Sequence, residues 1–342
     1  MTMTVAMPGH PRRSVMPLRL AILAAIVLAM ASVPLWASGG SQRLLVEFMT
    51  YVALAQLWNL MAGYAGLISI GQQAFVGLGG YTLFSLAILA GVPPLLALPV
   101  AGLVAALAAW PTALVAFRLS GPYFAIGTWV IAEVYRLGFA QVGALGGGSG
   151  ISLPVGLVKT ISADRGTRDS IIYWITLAAC VAVIGCIWAL MRSRLGLGLA
   201  AIRDDEVAAE SAGVVTRRLK LQVYVICAGV TGFLGALIFL QKLRISPEVA
   251  FSVNDWTVLV IFMVVIGGIG SIEGPLIGCL LFFVLREQFS DWGSWYMVGL
   301  GALSVATMLF ARGGLWSLIA PRIGFRLFPV TRSAPRRPSS DG

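Results

Sequence analysis

Apolar stretches long enough to cross a lipid bilayer recur from residue 18 to residue 319, and they decide what this chain can fold into. A helix needs about 20 apolar residues to span the hydrocarbon core. Candidate spans read at 18–36, 44–62, 67–90, 95–117, 122–140, 171–191, 221–241, 256–271, 275–287 and 295–311. Charged residues are only 11% of the 342 and hydrophobic ones 58%, against the ~25% charged of a soluble domain. No polar block remains for a separate soluble domain. The expected fold is an all-α polytopic membrane protein of about 8–10 transmembrane helices with Gly-rich broken or re-entrant segments.

The first stretch is longer than the apolar core of a signal peptide and reads as a retained anchor. The stretches 256–271 and 275–287 are short, and Gly267, Gly268, Gly270, Glu273, Gly274 and Pro275 separate them. They read as a broken or re-entrant pair. The net charge of +10 is not spread evenly. Arg12, Arg13 and Arg19 precede the first span; Arg192, Arg194, Arg203, Arg217, Arg218 and Lys220 share one loop; Arg322, Arg326, Arg332, Arg336 and Arg337 close the chain. Cations at span ends are the mark of the positive-inside bias, and no aromatic-interleaved basic module suggests nucleic acid. The layout is therefore a cytoplasmic N-terminal tail (1–17), one membrane domain (18–319) and a basic cytoplasmic C-terminal tail (320–342). Within the domain, 141–170 is external and 192–220 cytoplasmic.

Covalent chemistry finds little support. Cys180, Cys186, Cys227 and Cys279 all lie in apolar runs, so neither a disulfide framework nor a metal cluster is expected. The single histidine, His10, sits in the tail. Gly147-Gly148-Ser149-Gly150 imitates an intramembrane protease serine but lacks a histidine base. The three lysines, Lys159, Lys220 and Lys242, follow Val, Leu and Gln, so no phosphate-binding G-x-x-x-x-G-K-[ST] exists. Gly196-x-Gly198-x-x-Ala201 follows a membrane helix instead of a strand and reads as a flexible span exit. No cofactor is expected. Glu133 and Arg136, spaced i, i+3, read as a structural ion pair near the outer end of the fifth span.

The densest functional pattern lies between Trp58 and Thr82. Gly63, Gly66, Gly71, Gly77, Gly79 and Gly80 interrupt an apolar context, so a continuous straight helix is not expected. Asn59, Ser69, Gln72 and Gln73 place uncharged hydrogen-bonding groups at membrane depth, where such groups face protein or a wet path. Together with Tyr81 they are the candidate lining of a solute path. In the loop, Gly146–Gly150 reads as a surface connection. Residues 200–213 read as one short amphipathic helix with Ile202, Val207, Ala208 and Ala212 as its apolar stripe and Gly213 as its stop.

These residues resemble the LivM-type permease family of branched-chain amino-acid ABC transporters. That family's pattern is matched by Asn59, Gly63, Tyr64, Gly66, Ser69, Gly71, Phe75, Gly79 and Tyr81, with Gly80 standing for the common alanine and Gln72 replacing the commoner histidine. The resemblance continues through Tyr123–Thr128, Glu133 and Arg136, Gly146–Gly150, Arg203–Glu206 with Ala209, Gly213 and Lys220, and Gly267–Pro275, over roughly residues 45–310. It implies a permease subunit of a bacterial cytoplasmic-membrane importer, without catalytic residues. The implied partners are a homologous permease, two cytoplasmic ABC ATPases and an external solute-binding protein, within membrane lipid. It also implies that 200–213 is a coupling helix contacting an ATPase through Arg203, Asp204, Glu206 and Glu210, with Gly213 ending it. Branched-chain or related amino acids are the expected cargo; urea, amides or sugars are alternatives. An ion-coupled transporter would need midplane carboxylates, and Glu47 is the main one available.

Overall fold

A computed structural model describes residues 15–289, 295–311, 313–323 and 328. His10 and most of both basic tails lie outside these residues. In chain order the helices are α1 Val15–Ser32, α2 Gly39–Asn59, α3 Gln72–Ala90, α4 Pro94–Ala116, α5 Pro122–Ala140, α6 Val155–Lys159, α7 Arg165–Arg192, α8 Arg194–Asp204, α9 Glu206–Ser211, α10 Thr216–Lys242, α11 Pro247–Ala250, α12 Leu259–Gly267, α13 Glu273–Gln288, α14 Trp295–Phe310 and α15 Gly314–Ile323. A two-residue antiparallel pair, β1 Ile151–Ser152 with β2 Arg244–Ile245, is the one sheet among the described residues.

Every apolar stretch read from the sequence holds a helix. Among the described residues six helical runs are long and apolar enough to cross a membrane: Gly39–Tyr64, Gln72–Ala90, Pro94–Ala116, Arg165–Arg192, Thr216–Lys242 and Pro247–Gly267. Counting the bent pair Gly301–Phe310 and Gly314–Ala320 as one span makes seven. The remaining apolar helices fall short for visible reasons. Glu133 and Arg136 make α5 less apolar, and α13 has only 16 residues. The expected short half-span at 256–271 is a correction. Its helix runs back to Pro247 through a π turn at Asn254–Val258, giving 21 residues. Asn254 and Asp255 disguised that continuation as a loop.

The core forms where small residues let backbones meet, since apolar burial does not drive helices together inside lipid. A Cβ on Gly79 of α3 would stand 1.8 Å from Gly232 O of α10, and one on Gly232 would stand 2.2 Å from Ala105 Cβ of α4. Helices α3, α4 and α10 thus share one close crossing. At one end of the bundle, Arg43 of α2 meets Asp169 of α7 (3.8 Å) and β1 pairs with β2. At that end Gly146–Gly150 is a surface turn, with Gly148 and Ser149 exposed and Gly150 docked against β2. Gly150 has φ +76°, its Cβ would fall 2.1 Å from Ile245 O, and Arg244 Nη2 donates to Ser149 O (3.2 Å). The opposite end carries α8 and α9. The expected Glu133–Arg136 pair is formed (Nε···Oε1 2.8 Å), and Glu47 is paired with Arg286 of α13 (2.8 Å). Cys180, Cys227 and Cys279 are buried free thiols, while Cys186 is exposed.

Candidate functional site

Two breaks in the helical ladder face each other beneath α8 and α9. The first follows α2, which slackens into a π turn, Leu60–Tyr64, where the Ala65 N–H reaches back to Leu60 O (3.2 Å). Such turns concentrate at functional positions. Gly66, at φ +69°, then redirects the chain, and residues 65–71 run irregularly to the start of α3. Non-helical backbone at membrane depth must find partners inside the protein. It does: the Leu67 N–H bonds Met61 O (2.8 Å), the Ile70 N–H bonds Thr128 Oγ1 (3.0 Å), the Gly71 N–H bonds Ser69 Oγ (3.1 Å), and Trp58 Nε1 donates to Ser69 O (2.9 Å). Thr128 lies six residues into α5, about 9 Å at 1.5 Å per residue, so the break is inside the bundle.

The second break separates α12 from α13. Gly268 and Gly270 both have positive φ, at +128° and +77°. Asn59, wholly buried, holds this loop with both ends of its amide: Nδ2 donates to Ser271 O (2.8 Å) and Oδ1 accepts the Gly270 N–H (2.8 Å). One turn earlier on the same face, Gln56 Nε2 donates to Ile272 O (2.6 Å). Glu273, at the start of α13 and buried, accepts the Phe328 N–H (2.9 Å).

Of the candidate path residues, three are engaged in framing these breaks. Asn59 grips the second, Ser69 closes the first, and Gln73 is tied to Thr257 of the π turn through both its N–H and its Oε1. Gln72 Nε2 donates to Leu54 O (3.1 Å), but its Oε1 is buried with no partner among the described residues. Tyr81 is stacked between Phe139 (4.5 Å) and Phe251 (5.9 Å), and its hydroxyl also lacks a partner. Gln56 and Thr257 are not evident from the sequence as site residues, and Thr128 and Ser271 stand there only as members of the matched segments Tyr123–Thr128 and Gly267–Pro275. Gln56 left a trace, being an uncharged polar residue three positions before Asn59 in an apolar run.

The segment 200–213 is two helices, which corrects the single helix expected. Asp205 is extended (φ −160°, ψ 113°) and caps α9, its Oδ1 accepting the Val207 and Ala208 N–H groups. An aspartate competes with the ladder in this way wherever a new helix can start. The break resets the helical phase. Ile202 and Ala209 point inward, whereas Val207, Ala208 and Ala212 of the expected stripe are exposed. Gly213 does end α9, at φ +87°: its N–H bonds Glu210 O (2.9 Å) and the Val214 N–H bonds Ala209 O (3.0 Å), the paired bonds of a glycine-terminated helix.

The arm is fastened to the bundle at defined points. Lys220 of α10 meets Glu206 (2.5 Å), and Thr216 donates to Glu210. Arg203, beside Asp204 (3.2 Å), places Nη1 3.4 Å from where a Cβ on Gly270 would stand. The arm therefore lies beside the second break. It also borders a cavity of about 570 Å³, whose lining includes Gly66 and Ile68 of the first break, Pro122 of α5, and Glu206, Arg217 and Lys220.

The family model for the permease component of branched-chain amino acid transport systems matches residues 41–312. The chain belongs to that family. This permease is 31% identical over 327 residues to the high-affinity branched-chain amino acid transport system permease protein LivM of Escherichia coli (strain K12), covering 89% of this chain and 76% of that one. It is 26% identical to the probable LivM protein of Methanocaldococcus jannaschii, over 49% of this chain and 48% of that one. With the permease protein LivH of Salmonella typhimurium the identity is 25%, over 77% and 92%. No solved structure matches.

Proposed function

We propose that this permease is one of a pair of membrane subunits in an ATP-driven importer of branched-chain or closely related amino acids, in a bacterial cytoplasmic membrane. A homologous permease completes the pair, two ABC ATPases bind the α8–α9 end in the cytoplasm, and an external solute-binding protein docks at the opposite end. The cargo assignment is supported by the LivM and LivH relatives. The single observation that carries the mechanism is the arm itself. Exposed Val207 and Ala208, flanked by Arg203, Asp204, Glu206 and Glu210, offer a docking surface, and the same few residues reach the Gly270 loop.

The chain performs no covalent step. An ATPase that binds the arm differently in its two nucleotide states shifts the permease between two conformations by that difference in affinity. Movement of Arg203 shifts the Gly268–Ser271 loop, and Asn59 carries that shift to the first break. Of the path candidates, Gln72 and Tyr81 retain hydrogen-bonding capacity for a solute, while Asn59, Ser69 and Gln73 frame the opening. Reversing charge separately at Arg203 and Asp204, then measuring transport and ATP hydrolysis by the reconstituted complex, tests the coupling. Each reversal is expected to lower both activities about tenfold, as for loss of one coupling contact of typical size. Unchanged activities with unchanged subunit copurification would overturn it.

A further inference from the structure

Residues to which the transport reading gives no role form a distinct binding geometry along α7 and α10. Between α4, α7 and α10 lies an open groove of about 950 Å³ whose lining is entirely apolar. Its bottom closes because a Cβ on Gly229 would already stand 3.0 Å from Ala106 Cβ, leaving the α4–α10 contact without side-chain bulk. Ala182 and Cys186 of α7, both exposed, form one wall; Val230 and Ile226 of α10 form the other. The α10 stripe does not stop there. At four-residue steps it continues to Gln222 and Arg218, which border a second groove of about 480 Å³ facing Arg194. Arg194 and Arg218 are exposed, and among the described residues neither has an ion-pair partner.

An apolar furrow inside the bilayer that ends in two uncompensated cations at its cytoplasmic rim complements one kind of molecule, an amphiphile with an anionic head. From Ile175 to Leu190 the α7 wall runs fifteen residues, about 22 Å at 1.5 Å per residue, long enough to seat an acyl chain that fills the ~15 Å of one leaflet in a ~30 Å core. A neighbouring protein helix would fill the furrow and leave both arginines unmatched. A soluble anion would match the arginines and leave the furrow unused.

We propose that this groove holds an anionic phospholipid of the cytoplasmic leaflet, with an acyl chain along α7 and α10 and the phosphate between Arg194 and Arg218. The test is lipid retention by the purified full-length chain in mild detergent, read by native mass spectrometry with added phosphatidylglycerol, phosphatidylcholine or inorganic phosphate. Phosphatidylglycerol is expected to be retained about thirtyfold better than phosphatidylcholine, as two interfacial cations imply. The double substitution Arg194→Gln with Arg218→Gln should abolish that preference, and Ala182→Trp should reduce retention of both lipids. All three substitutions are at exposed positions, and the two-lipid comparison in the unaltered protein needs no variant. Equal retention of the two lipids would overturn the proposal. So would undiminished preference in the double variant, or displacement of the lipid by phosphate alone. Disulfide cross-linking of two copies through Cys186 in membranes would place a second chain in the groove and overturn it as well.

Discussion

Replacing Asn59 with leucine tests whether a single amide holds the second break in place. The side chain is wholly buried, and its two bonds to Gly270 and Ser271 are both 2.8 Å. Leucine has a similar size, so little cavity forms. What remains is a half-buried Gly270 N–H and a half-buried Ser271 carbonyl without these partners, each costing about 1–2 kcal/mol, the lower part of the range for a fully buried group. Side-chain hydrogen bonds in membrane proteins average only about 0.6 kcal/mol because the freed groups find other partners. A loss of about 2–4 kcal/mol follows, between these limits. Gln56→Leu supplies the internal control. It frees only Ile272 O while removing an Oε1 that is itself buried without a partner, so the two effects nearly cancel and the cost stays within about 1 kcal/mol. Unfolding both variants by titration with a denaturing detergent measures the difference. If Asn59→Leu costs no more than Gln56→Leu, the reasoning about the break is refuted.

Further outcomes follow from the same geometry. Gly79→Ala forces α3 away from Gly232 and should destabilise by about 3 kcal/mol or more, whereas Gly185→Ala, with open space around it, should be neutral or gain up to about 1 kcal/mol; thermal unfolding in one detergent compares them. Glu206→Lys should impair ATP-coupled transport by breaking the contact with Lys220, and adding Lys220→Glu should recover a substantial part of it; failure of the exchange to recover any activity would deny the contact a role. Asp164 caps α7, and the Thr167 N–H and hydroxyl that it accepts hold its carboxyl below the usual carboxylate range. Its stabilising contribution is therefore present above its unfolded pKa of about 3.9 and fades as the pH falls through the lower folded value. The protection of the Thr167 amide, its exchange rate relative to a free amide at the same pH, should fall at acid pH in the unaltered protein but stay constant in Asp164→Asn.

The spans were legible because length and apolarity are properties of the sequence alone, as were the two glycine-interrupted regions around Gly63–Gly71 and Gly267–Gly274. Their junction was not, because polarity says that Asn59 needs partners without saying that they are Gly270 and Ser271, more than 200 residues away. The same limit hid the docking of Gly150 against Ile245. At Asp205 the difficulty was local: an aspartate within a charged helical pattern reads equally well as a surface residue or as the cap of a new helix. Taking it as the former shifted the apolar stripe and buried Val207 on paper, whereas the fold exposes it. The end of α9 was readable, since a positive-φ glycine after a short helix leaves few alternatives.

The most direct measurement of the central claim is solute accumulation in sealed vesicles containing this permease, with and without its homologous subunit, the ATPases and the binding protein. Accumulation against a gradient is expected only in the complete, ATP-supplied assembly, and none from this chain alone. Uphill accumulation by the isolated chain would contradict it.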